Sequence, residues 1–191
     1  YHCAVPNMDM HISAGMFGSI LVEPKDGLPE VDHEIYLGQH DVYTKGDTGE
    51  KGHHAFDIDS MMRENPTYVL MNGEKYAMTA NNHGHALEAE TGETARVYFV
   101  NGGPNLTSSF HAIGNVWSRL YPKGSFSTEA QTDIETTSVA PGTTTAAMME
   151  FPVPETIKLV DHALTRVARK GCLATVNVGG AENPEIYTAD P

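Results

Sequence analysis

Cysteine is nearly absent from this chain of 191 residues, which has only Cys3 and Cys172. Two thiols so far apart, in what read as different domains, argue against a disulfide, and Cys172, with no metal-binding neighbours, reads as a buried structural thiol. Basic residues are scarce as well. Twelve Lys and Arg stand against 25 Asp and Glu, a formal net charge of -13, which argues against nucleic acid as a partner. Such a balance usually reflects solubility alone, although with seven Lys it would also suit a protein kept hydrated in high salt. No window approaches the roughly 20 apolar residues of a membrane helix. Neither an initiator Met nor a signal peptide opens the chain, so the expectation is a C-terminal portion of a longer protein. Hydrophobic residues make up 40%, enough for one good core and a little more.

Against these absences, one short stretch is dense in metal-binding side chains. Tyr1 to Met16, YHCAVPNMDMHISAGM, holds His2, Cys3, His11 and Met16. Singly, each has an ordinary explanation: Cys as a small buried hydrophobe, Met as a core filler, His as a satisfied polar group. Together, a thiolate, an imidazole and a thioether on one loop form the ligand set of a blue-copper electron-transfer centre, a trigonal His/His/Cys site with a weak axial Met. Closing that site needs a second His from elsewhere. Strand-like Tyr1 to Val5, the loop formers Pro6, Asn7 and Asp9, and Gly15 and Gly18 ahead of the apolar run Ser19 to Val22 predict two strands joined by a ligand loop.

Beyond Pro24, the polar stretch Lys25 to Glu30 reads as an interdomain linker. Alternation from Glu34 to Leu37, continuing through His40 to Tyr43, opens a second domain. Lys45 to His54 reads as a Gly-rich surface loop in which adjacent His53 and His54 point apart and face solvent. Asp57 to Glu64 predicts a short helix capped by Asp57 and ended by Pro66. Tyr68 to Met71 runs into Asn72-Gly73, a hairpin signal. Asn81 to His85 reads as a loop, where His83 and His85 are a candidate surface metal trap without further ligands nearby. Ala95 to Val100 alternates, and Thr143 to Thr145 with Met148 and Met149 fit a strand alternating between core and solvent. Leu164, Val167 and Ala168 recur at helical spacing, with Arg166, Arg169 and Lys170 toward the C-terminal end and Gly171 as a stop. The tail from Ala181 reads as an extended arm. Short strands between Gly and Pro turns argue an all-β sandwich, of which the Greek-key cupredoxin is one form.

His2-Cys3-Ala4, with His11 eight residues after the Cys and Met16 five further on, resembles the end of the first cupredoxin domain of copper-containing nitrite reductases, in its short-loop form. Gly18 to Pro24 resembles the strand that closes that domain, and the likeness runs through most of the chain. The resemblance implies four parts: residues 1–24 as the end of a first cupredoxin domain, 25–33 as a linker, 34–180 as a second Greek-key cupredoxin sandwich, and 181–191 as an arm. It implies Cys3, His11 and Met16 as ligands of a type 1 copper. Ser108-Ser109-Phe110-His111-Ala112-Ile113-Gly114 resembles the motif around the family's active-site histidine, which is not a copper ligand. By itself, a His between Phe and Ile is more often a core histidine with one hydrogen bond. By the resemblance, His111 supplies or relays protons and Ile113 narrows the pocket over the substrate. Leu159-Val160-Asp161-His162 resembles the segment that gives the catalytic type 2 copper its third ligand, reaching to a neighbouring subunit, so a homotrimer is implied. Neighbours on a strand point to opposite faces; Cys3 then serves one copper while His2 serves the other, and one electron crosses the peptide between them. Glu135-Thr136-Thr137 lies near the polar support of the active-site histidine, with no single residue assigned.

The implied activity is dissimilatory reduction of nitrite to nitric oxide, a step of denitrification and nitrogen metabolism. It takes place outside the cytoplasm, in the periplasm or at the cell exterior, with a small redox protein as electron donor. The second type 1 His, one more type 2 His and the catalytic Asp belong upstream of residue 1, so the missing N-terminal half of the first domain is a required partner. Two alternatives remain. A laccase-like multicopper oxidase needs His on both sides of its Cys, whereas Ala4 follows Cys3, and the only HxH is His83-Gly84-His85. A cupredoxin electron carrier would not need His2, His111 and His162 together. One copper per protomer marks the carrier, two the reductase and four the oxidase.

Overall fold

Apolar runs rich in Val, Phe, Ile and Thr favour strands, and they set the frame here. The computed structural model describes residues 1–79 and 86–187. Its strands are β1 (His33–Val42), β2 (Tyr68–Met71), β3 (Leu87–Glu90), β4 (Thr94–Gly103), β5 (Ser108–Ile113), β6 (Arg119–Tyr121), β7 (Thr136–Val139), β8 (Thr143–Glu150), β9 (Glu155–Asp161) and β10 (Leu173–Gly179). They form two five-stranded sheets, ordered β2-β1-β4-β8-β6 and β3-β10-β9-β5-β7. β1 is parallel to β4 and β3 to β10, while the other pairs are antiparallel. A parallel neighbour cannot be reached by a tight turn, so the β1 to β4 connection is long and carries α2 (Ile58–Met62), β2 and β3. The architecture is the all-β Greek-key cupredoxin sandwich.

The two sheets meet through aromatics. Phe99, Phe110 and Trp117 stack in series, with ring centroids 4.0 and 4.9 Å apart, and none is more than 1% exposed. Around them pack Leu37, Val69, Met71 and Val97 from one sheet and Ile157, Leu159 and Val176 from the other. Burying each such side chain stabilises the fold by about 1.5–3 kcal/mol relative to exposure. β8 departs from the expected alternation. Ala147 and Met149 enter this core, but Ala146 and Met148 join Tyr121, Tyr98, Phe126 and Val31 in a second cluster. The strand therefore alternates between two apolar clusters, because Phe126 and Val31 cover its outer face.

Local signals vary in how far they carry. Asp57 caps α2, accepting from the Asp59 and Ser60 amides at 3.1 and 3.2 Å. α3 (Leu164–Lys170) ends at Gly171 in the left-handed region (φ 95°), yet none of its residues is buried. Asn72 and Gly73 form the expected turn (φ 50° and 81°), and Met71 bridges to Glu74, but among the described residues no second strand completes a hairpin. The Asn72 side chain instead accepts from the Gly38 amide (2.8 Å) and donates to the Tyr36 carbonyl (3.1 Å), folding the tip onto β1. His54 is not simply solvent-facing; its two ring nitrogens meet the Lys45 and Glu50 carbonyls at 2.8 and 3.0 Å. Within residues 181–187 the chain turns rather than extends, with the Ile186 and Tyr187 amides both donating to the Asn183 carbonyl (3.0 Å). His83 and His85 lie outside the described residues.

At the start of the chain, Tyr1 to Cys3 pairs antiparallel with Met16 to Gly18 through the His2–Phe17 bridge alone. Three backbone hydrogen bonds of 2.9–3.0 Å hold it: Tyr1 amine to Gly18 carbonyl, Gly18 amide to Tyr1 carbonyl, and Cys3 amide to Met16 carbonyl. Between them α1 (Met8–Ser13) takes the place of an open loop, entered through Asn7 at φ 64°. Ser19 to Val22 does not form a strand with any described neighbour, and Ile20 and Val22 are 72% and 79% exposed. A strand needs an edge to pair with, and the described residues offer none there.

Candidate metal and proton-transfer sites

α1 presents His11 to Cys3. The His11 amide donates to the Asn7 carbonyl (3.2 Å), the Met16 amide to the His11 carbonyl (3.0 Å), and the Cys3 amide to the Met16 carbonyl (2.9 Å). These bonds close the loop so that Cys3 Sγ lies 3.3 Å from His11 Nδ1. Gly15, at φ 100°, makes the turn ahead of Met16, whose side chain is 55% exposed. The loop is anchored to the sandwich by Ser13, fully buried, which donates through Oγ to the Asp41 carbonyl at 2.7 Å. Phe17 completes the docking, its ring 5.3 Å from that of buried His40.

His2 is exposed, and its ring bonds neither Cys3 Sγ nor His11. Its Nδ1 lies 2.6 Å from the Cys3 carbonyl. A carbonyl only accepts, so Nδ1 carries the proton and Nε2 is left as the free donor atom, the arrangement that orients a metal-binding imidazole.

The second locus is built on β5. Along it Ser108, Phe110 and Ala112 are buried while His111 and Ile113 share the other face. β7 lies alongside, pairing Thr136 with His111. His111 Nδ1 donates to the Glu135 carbonyl at 2.7 Å, with Thr136 Oγ1 3.0 Å away. Nε2 is then the atom at which this ring can gain or release a proton. The loose match at Glu135-Thr136-Thr137 thus resolves into one carbonyl and one hydroxyl. His162 comes directly after β9; its ring stands edge-on to His111 with centroids 4.9 Å apart, and its amide donates to the Ser109 carbonyl (2.8 Å). Beside His111 opens a groove of about 1020 Å³ bordered by Asp133, Glu135, Glu150 and Glu155. Burial pushes the Glu155 carboxyl above its usual range, and a hydrogen bond from Asn115 partly offsets this.

The histidines do not all converge. Among the described residues no group of three or more His, Cys, Asp or Glu is placed to hold a metal; the structure brings together Cys3 with His11 and, separately, His111 with His162, while His2 joins neither pair. Cys172 is fully buried, as expected of a structural thiol, and burial, with Asp161 nearby, pushes its thiol well above the ordinary range.

No family model matches the chain. It is 46% identical over 188 residues to the copper-containing nitrite reductase of Neisseria meningitidis, a match covering 98% of this chain and 47% of that protein. Over nearly its whole length the chain is similar to copper-containing nitrite reductases. The copper-containing nitrite reductase of Alcaligenes faecalis is 31% identical over 205 residues, covering 99% of this chain and 53% of that one. In three dimensions the copper nitrite reductase from Nitrosomonas europaea superposes with a TM-score of 0.82 at 32% identity, over 96% of this chain and 62% of that chain. A multicopper oxidase at TM-score 0.74 and 24% identity shares the fold. The chain spans about half the length of the curated relatives it matches.

The donor chemistry fits the copper these reductases are named for. Two donors each roughly 2.0–2.3 Å from one metal stand roughly 3–4 Å apart, and Cys3 Sγ and His11 Nδ1 do so at 3.3 Å. Phe17 carries no sequence signal of its own; within Glu135-Thr136-Thr137, Thr136 could be singled out only as the residue opposite His111 once β5 and β7 were paired.

Proposed function

We propose that this chain forms part of a nitrite reductase that converts nitrite, one electron and two protons into nitric oxide and water. The observation that carries the reading is the difference between adjacent residues: Cys3 Sγ meets His11 Nδ1, while the exposed His2 ring meets only the Cys3 carbonyl through Nδ1, which leaves its Nε2 free. Cys3, His11 and Met16 would hold a type 1 copper, and His2 and His162 a type 2 copper. When bound, the first supplies one-electron transfer and the second a Lewis acid and template for nitrite. The peptide joining Cys3 to His2 is a short covalent path between them.

This chain's other residues manage protons and access. His111, with Nδ1 held by the Glu135 carbonyl, offers Nε2 as the atom that donates a proton to the substrate oxygen and recovers it from solvent. Proton transfer from a ring held in this way is general acid catalysis. Ile113, two residues along the same face of β5, excludes water and limits how nitrite can lie. The exposed position of His162 fits a ligand shared with a neighbouring subunit, so the active assembly is a homotrimer. The remaining ligands and the catalytic Asp come from the upstream half of the first domain. A small redox protein delivers the electron, outside the cytoplasm, in denitrification. No helix among the described residues is long and apolar enough to cross a membrane.

Copper stoichiometry with optical and spin-resonance spectra tests this, repeated after His162→Ala and coupled to a nitric oxide assay. Two coppers per protomer, with the type 2 signal and nitric oxide production lost in the variant while the type 1 band remains, are expected. An unchanged metal count in the variant would overturn the role of His162. A single blue copper in the parent would indicate an electron carrier, and four an oxidase.

A further inference from the structure

β1 reaches both candidate ligand segments through buried polar groups. Gln39, 0% exposed, accepts from Ser108 Oγ at 2.8 Å and donates through Nε2 to Asp161 Oδ2 at 3.0 Å. Asp161 is equally buried. Its Oδ1 accepts from the Ser109 and Ala163 amides, both at 3.1 Å, and its Oδ2 also accepts from Arg166 at 2.5 Å. Arg166 in turn donates to the Thr107 carbonyl (2.7 Å). Since the Ser109 carbonyl accepts the His162 amide, the backbone around His162 is pinned to one carboxylate from both sides. Two residues further along β1, the Asp41 carbonyl receives Ser13 Oγ, the last residue of the helix that carries His11.

Packing demand does not explain this network. An amide, a hydroxyl and a carboxylate in a sandwich core are tolerated only when fully hydrogen-bonded, and apolar side chains of similar volume would pack at least as stably. The polar set is explained if its purpose is placement. We propose that β1 is a common mount for the two ligand-bearing segments, with Gln39 the positioning residue for His162, acting through Asp161, and the Asp41 carbonyl the anchor of α1 and His11. β1 shifts register against β4 between Gln39 and His40, but from Gln39 to Val42 it pairs without a break with β2, so one hydrogen-bonded element sets the placement of both segments. The term ligand rests on the proposed function; the placement does not.

The test uses the copper-loaded protein with Gln39→Met and Ser13→Ala. Gln39→Met keeps the volume and removes both hydrogen bonds. Exchange of the His162 and Ala163 amides with solvent deuterium should rise about tenfold, the equivalent of one lost hydrogen bond to a charged group. The type 2 spin-resonance parameters should change while the type 1 optical band stays. Ser13→Ala should show the converse: faster exchange in α1 and a shifted type 1 band, with the type 2 signal intact. Unchanged exchange at residues 162 and 163 in Gln39→Met would overturn the mount, and so would an equal rise across β4 and β8, which marks general loss of stability. Exchange reads out with or without bound metal. A parent lacking type 2 copper would therefore sink the proposed function and leave the mount to be judged on exchange alone.

Discussion

Beside the Ser13–Asp41 hydrogen bond, Phe17 is a contact through which the Cys3–His11–Met16 loop rests on the sandwich. The ring lies over two glycines: a Cβ built on Gly102 would meet Phe17 Cγ at 2.7 Å, and one on Gly38 would meet Cε2 at 3.2 Å. A rigid ring one residue from Met16 cannot yield to a new methyl group without moving the loop. Gly102→Ala is therefore expected to cost about 1–3 kcal/mol, the range for overpacking a filled site, read as a shift in the urea midpoint. It should also speed loss of the type 1 copper, read from the decay of its optical band. Because the clash belongs to the pair, adding Phe17→Leu should recover part of the loss, a non-additivity expected of residues in contact. Equal and additive losses would show that Gly102 matters through its own backbone.

At the level of elements, α3 shows how a local signal can decide a tertiary feature. Gly171 ends the helix in the left-handed region, where an L side chain costs roughly 1–2 kcal/mol, and a Cβ there would meet the Lys75 backbone Cα at 3.0 Å and its side chain more closely. Gly171→Ala should destabilise by about 2 kcal/mol or more, measured by denaturant unfolding, and should loosen the segment from His162 to Cys172. A midpoint within error of the parent would mean that the helix simply ends one residue earlier. Signals of this kind, the Gly171 stop, the Asp57 cap and the Asn72-Gly73 turn, could be read from sequence because they depend on one or two residues and a backbone angle. The candidate ligands could be read because chemistry restricts which side chains bind copper. The fate of the chain after Asn72-Gly73 could not, since it depends on side-chain bonds to Tyr36 and Gly38 across the sheet. Nor could the second apolar face of β8, which exists only because Phe126 and Val31 arrive from distant segments, or the pairing of Asp161 with Gln39, 122 residues apart. The order of the chain says little about which buried polar groups will meet.

At the level of the whole molecule, two histidines tie stability to pH with opposite sign. His40 is 5% exposed, and burial lowers its pKa from 6.5 to about 4. Between those values the unfolded chain holds a proton that the folded chain refuses, so stability is intact above pH 6.5 and falls as the pH drops toward 4. His54 works the other way. Hydrogen bonds to the Lys45 carbonyl first and the Glu50 carbonyl second raise its pKa above 6.5, since only the imidazolium donates to both. Its contribution is present below the unfolded value and disappears as the pH rises through the folded one. The magnitudes decide between them. The His40 shift corresponds to about 3 kcal/mol, whereas His54 lies on a surface loop where solvent screens the interaction. The chain should therefore lose stability steadily from pH 6.5 to 4. His40→Leu, which removes the titrating ring and its unpartnered buried Nδ1, should flatten that fall, and His54→Gln should lower the urea midpoint more at pH 5 than at pH 8. A His40→Leu protein that weakens in acid as steeply as its parent would assign the acid sensitivity to other groups.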